Sequence, residues 1–92
     1  MKQKIGKIRF VESYEDAPKN SFVIRQMEDK TVRLEHYSLI GCNKEVQEIL
    51  HDFPAYSFYR ENFKNTLIEA RKLVGSNKCI YVVVPVWMHN WF

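Results

Sequence analysis

The sequence predicts an α+β domain: a mostly antiparallel four-stranded sheet in the chain order β-β-β-α-α-β, with two helices packed on one face. Three observations carry this expectation. Up to residue 37 the chain holds three runs in which apolar and polar side chains alternate. From residue 43 the apolar spacing becomes that of a helix. Residues 79–84 (C-I-Y-V-V-V) then form an uninterrupted apolar run.

Residues 4–11 read as the first strand, because Ile8 and Phe10 alternate with Lys7 and Arg9. Residues 13–20 (S-Y-E-D-A-P-K-N) have the composition of a surface loop, with Pro18 as its firmest marker. Residues 22–27 and 31–37 are the second and third strands, joined by Glu28-Asp29-Lys30 as a hairpin turn. Asn43 then has the chemistry of an N-cap, and Val46, Ile49, Leu50 and Phe53 fall at the i, i+3, i+4, i+7 spacing of a short helix ended by Pro54. Ser57 is placed to cap a second helix whose buried stripe is Tyr59, Phe63, Leu67, Ala70 and Val74. Arg71 and Lys72 suit its C-terminal dipole and Gly75 its C-cap. A continuously apolar closing strand belongs inside a sheet, covered on both faces, and Pro85 ends its pairing.

Length and composition point to one domain spanning residues 1–92, with a single core. Net charge is +3, and the two parts are balanced: residues 1–42 hold eight Lys/Arg against six Asp/Glu, and residues 43–92 hold six against five. This permits nucleic-acid binding without arguing for it. Two separated cysteines among apolar neighbours read as free thiols of a reducing compartment. The N-terminal M-K-Q-K-I-G-K-I-R-F lacks the apolar stretch of a signal peptide, and the apolar run near the C-terminus is too short to span a bilayer. The expected location is the cytoplasm, with no membrane association.

Chemistry-bearing motifs are sparse. With glycine only at positions 6, 41 and 75, phosphate-loop and dinucleotide patterns fail. His36, Cys42, His51, Cys79 and His89 form no metal-ligand pair, so no metal or other cofactor is expected. The acidic pairs Glu15-Asp16 and Glu28-Asp29 lie in expected turns. Cys42 ahead of a helix start, with His36 or His51 as base, is the one arrangement that suits a small cysteine- or histidine-dependent enzyme.

Two binding readings stand ahead of that one. Strand alternation sends Lys7, Arg9, Arg25, Arg33 and Tyr37 together to the sheet face away from the helices, where they could track a phosphate backbone and stack a base. The leading reading rests on surplus aromatics. Tyr56 and Phe58 fall off the helical stripe, and Trp87, Met88, Trp91 and Phe92 follow the stop at Pro85. Such residues are enriched at protein interfaces. The texture of the whole chain, short and motif-poor, is similar to that of small accessory proteins of bacteriophages and mobile elements. That resemblance implies a non-enzymatic inhibitor or adaptor that binds a protein partner or a second copy of itself.

Overall fold

A computed structural model describes residues 5–18, 20–40 and 43–91. Among them are five strands, β1 (Ile8–Val11), β2 (Ser21–Gln26), β3 (Val32–Ile40), β4 (Asn43–Phe53) and β5 (Ile80–Val83), and one α-helix, α1 (Arg60–Val74). Two 3-10 turns, Tyr14–Asp16 and Val86–Asn90, complete the regular structure. The strands form one mixed sheet in the order β1-β5-β2-β3-β4. β5 runs parallel to both its neighbours, β1 and β2, while β2-β3 and β3-β4 are antiparallel pairs. This corrects the expected fold: five strands stand where four were expected, three of them are joined by parallel pairing, and one helix packs on the sheet instead of two.

The correction has a local cause in β4. Asn43–Phe53, expected as a helix, is an eleven-residue strand paired along β3. Opposite β3 the register runs Phe53 to Val32, Asp52 to Arg33 and His51 to Leu34, then jumps to Ile49 opposite Glu35. Leu50 is therefore the extra residue of a bulge. In an unbroken strand, residues three apart face opposite sides. The bulge resets the phase, so Leu50 and Phe53 both reach the same core. A second shift lies at His36/Tyr37. The three-residue spacing of Leu50 and Phe53 thus arises from a bulged strand, while Ile49 is left half exposed.

The remaining elements follow their sequence signals more closely. β2 and β3 form the expected hairpin, and Lys30 takes the positive φ that its tight turn requires. β5 lies inside the sheet, as its apolar run predicts, with Ile80 and Val82 fully buried. Helix α1 begins three residues after Ser57. That side chain instead donates to the Pro54 carbonyl, and Tyr59 occupies the N-cap without a capping side-chain bond. Gly75 ends the helix at φ +97°, its N–H donating to the Arg71 carbonyl.

Phe63, Leu67 and Ala70 of α1 pack on Ile24, Val32, Leu34, Ile80 and Val82 of the sheet, with Ile8 and Phe10 alongside. Phe22 sits at the rim of this face, its ring stacked on His36 at 4.7 Å. The far face is not open sheet. Tyr14 and Ala17, from the β1–β2 connection, pack with Val23, Tyr81 and Val83. β5 is covered on both sides by this arrangement, which is why its sequence shows no alternation.

One buried charge joins the ends of this architecture. The Arg71 guanidinium donates to the carbonyls of Ile5 (2.5 Å), Lys7 (2.6 Å) and Gly75 (2.7 Å), and also to that of Lys78. It ties the approach to β1, the end of α1 and the approach to β5 into one knot. Desolvation lowers its pKa from the usual arginine value. Gly6 makes the close approach possible. A Cβ there would lie 2.6 Å from Arg71 Nε, and its φ of +78° is one that glycine adopts without penalty.

Candidate functional site

The surplus aromatics converge. Pro85 stops the β5 ladder, and the turn Val86–Asn90 folds the chain back beside the start of α1. Met88 enters the core, and Trp91 meets the ring of Phe63 edge-on at 5.3 Å. The His89 ring stacks on Phe10 at 5.1 Å and its Nε2 lies 3.2 Å from the Val84 carbonyl. Residues 86–91 are therefore docked on their own domain. What this leaves outside is specific: Trp87 is 64% exposed and Val86 54%.

The loop before α1 supplies the opposite wall. Phe58 is buried and packs edge-on to Phe63 at 5.3 Å. Tyr56 and Tyr59, which meet edge-on at 4.8 Å, are about half exposed. Tyr56 holds a φ of +73°, a region that bulky side chains rarely occupy. The Tyr59 N–H and the Asn62 side-chain amide both donate to its carbonyl and fix this conformation. Between the walls lies a groove of about 320 Å³ lined by Phe58, Tyr59, Pro85, Trp87, Met88 and Trp91, with Gln26, Arg60 and Glu61 on its rim.

Of the six residues expected at a protein interface, Tyr56 and Trp87 present their rings to solvent, Trp91 does so in part, and Phe58 and Met88 form the groove's floor from within the core. Phe92 lies outside the described residues. Sequence reasoning missed Tyr59, which was assigned to the buried helical stripe. The available signal was its place at the first turn, where a side chain lies beyond the helix-sheet contact.

The basic face is arranged differently. Register brings Arg25 and Arg33 opposite each other, but both are engaged by carboxylates. Arg25 Nε donates to Glu35 Oε1 at 2.6 Å, and Arg33 Nε to Asp52 Oδ1 at 2.8 Å. Arg25 also lies over the Tyr14 ring, 4.2 Å from its centroid. Burial, and then the Glu35 carboxylate, raise the Tyr14 pKa. Lys7 and Arg9 are exposed on β1 and its approach. Tyr37 lies in β3 opposite Ser21, and its side chain is outside the described residues. Two of the four cations are thus spent on ion pairs, and the connection at Tyr14–Ala17 covers part of the face.

The enzymatic reading names Cys42, His36 and His51. Cys42 lies outside the described residues. His36 stacks on Phe22, His51 meets Phe53 edge-on at 4.6 Å, and Cys79 is a half-buried free thiol. Among the described residues no group of three His, Cys, Asp or Glu side chains gathers to hold a metal ion, and no helix is long and apolar enough to cross a membrane. No protein-family model, curated protein or solved structure matches this chain.

Proposed function

We propose that this chain is a non-enzymatic binding protein, an inhibitor or adaptor of the kind phages and mobile elements encode, acting in the cytoplasm through the aromatic groove between the start of α1 and the turn after β5. The observation that carries this reading is the convergence of Tyr59, Trp87 and Trp91 on one groove, with the Tyr59 and Trp87 rings left largely in water and the exposed Tyr56 ring beside Tyr59. Exposed apolar clusters of this kind are where protein partners dock. The backbone of Tyr56 supports it. A bulky residue held at positive φ costs stability, and such strain gathers at functional positions.

The test is a pair of point variants. Cutting off the last six residues would remove Trp87, Met88 and Trp91 together, and the last two stabilise the fold. Trp87→Ser and Tyr56→Gly change the surface alone. Purification of the tagged wild-type chain and both variants from native cells should give a partner that is lost or at least about tenfold depleted with Trp87→Ser. Tyr56→Gly should bind less while melting no lower than wild type, because glycine relieves the backbone strain. A partner recovered equally with all three proteins places the interface elsewhere. Light scattering on the wild type distinguishes a second copy of the chain from a different protein as occupant.

A further inference from the structure

A second surface is built at the opposite edge of the sheet from β4. Among the described residues β1 is the outermost strand, paired on one side to β5. The Lys7 and Val11 carbonyls accept from Ile80 and Val84 across that ladder. By alternation, the N–H and C=O of Ile8 point away from β5, toward the open edge. Beside this edge lies an apolar pocket of about 240 Å³ lined by Ile5, Gly6, Ile8 and Phe10. On the other side of the strand, Lys7 and Arg9 are exposed and form no ion pair with the described residues. The Arg71 bonds to the Ile5 and Lys7 carbonyls hold the approach to the strand in place, so little order has to be gained on binding.

We infer that β1 receives an extended segment of a partner protein as an added strand, with apolar side chains directed at the Ile5–Phe10 pocket and acidic side chains alternating toward Lys7 and Arg9. Backbone pairing supplies affinity in this mode, and pockets for alternate side chains supply selectivity. Charge selects the occupant. A second copy pairing through β1 would bring the Lys7 and Arg9 cations of two chains together, and like charges across a ladder repel. The other edge is less suited. β4 carries two register shifts and exposes Glu48 and Asp52, devices that discourage strand addition. This inference is independent of the aromatic groove and uses none of its residues.

The test titrates the full isotope-labelled chain with an acetylated, amidated hexapeptide alternating isoleucine and glutamate. Saturable amide shifts should centre on Ile8 and its neighbours, with slowed hydrogen exchange at the Ile8 amide. The double variant Lys7→Glu/Arg9→Glu should bind at least about tenfold more weakly, as should the wild type with a peptide carrying lysine in place of glutamate. Methylating the peptide's central backbone nitrogens should abolish binding, which distinguishes strand addition from loose charge attraction. The inference is overturned by the absence of a saturable shift at β1, by equal binding of the acidic and basic peptides, by shifts centred on Trp87, or by light scattering that shows two copies joined through β1.

Discussion

Arg71 and Glu35 are both buried charges, and the molecule treats them differently. Arg71 has no carboxylate partner among the described residues. It is satisfied by four backbone carbonyls drawn from three segments of the chain. Glu35, fully buried on the far face of the sheet, pairs with Arg25, and its Oε2 has no hydrogen-bond partner among the described residues. A guanidinium presents donors in a fixed fork, so backbone acceptors can surround it wherever loops converge. A carboxylate needs donors, and the strands around Glu35 have spent their N–H groups on the ladder. The comparison teaches that one charge is a structural joint of the fold, while the other is held by a single side chain on the less completely packed face.

The largest expected effect breaks the joint. Arg71→Met strands several carbonyls at once and should cost about 3–5 kcal/mol, a large share of a small domain's stability, read by urea denaturation. Gly6→Ala strikes the same joint from its other side, through a clash with Arg71 and a strained φ, and should cost about 2–3 kcal/mol in the same assay.

The Glu35 side of the comparison yields a smaller effect and a sharper one. Arg25→Met leaves the buried carboxylate unpaired and should cost about 2–3 kcal/mol. The double variant Arg25→Met/Glu35→Leu should recover most of that loss, because an apolar pair of similar volume replaces a buried ion pair at little net cost. If the double variant is as unstable as Arg25→Met, Glu35 contributes more than its ion pair. No such recovery is expected by pairing Arg71→Met with any other substitution, since its partners are backbone atoms.

The smallest effect is a matter of pH in the β2–β3 turn. The Thr31 hydroxyl and N–H both donate to Asp29 Oδ1 and hold that carboxyl below its usual 3.8. A depressed carboxyl contributes stability above its unfolded pKa and loses it as pH falls through the folded value. Thr31→Val should therefore melt slightly below wild type at pH 6, with the gap closing as pH falls below 3.8.

How much was legible in advance differs from element to element. Helix α1 was, because an apolar stripe, basic last turn and C-cap glycine are local signals that agree. The β2–β3 hairpin was, because alternation and a polar turn need only neighbours in sequence. The convergence of Tyr59 with Trp87 and Trp91 was half legible. The sequence marks Tyr56, Trp87 and Trp91 as surplus to the core pattern, puts Tyr59 in the buried stripe, and says nothing of segments some thirty residues apart meeting. Arg71 gave no signal beyond its place in a last turn, since its partners are carbonyls that every residue carries.

By itself the sequence determined the helix, the first hairpin, the interior position of the closing strand and the stop at Pro85. Each follows from periodicity, capping or backbone chemistry within a few residues. Only the tertiary structure decided that residues 43–53 form a strand and that β5 lies between β1 and β2. Apolar spacing at 46, 49, 50 and 53 fits a helix, and the pair Leu50 and Phe53 also fits a strand whose bulge resets its faces, with Ile49 left half exposed. The long β3 favoured the second by offering a partner along its whole length. The place of β5 rests on contacts such as Ile8 with Ile80 and Phe22 with Ile80, far apart along the chain, which local sequence does not encode.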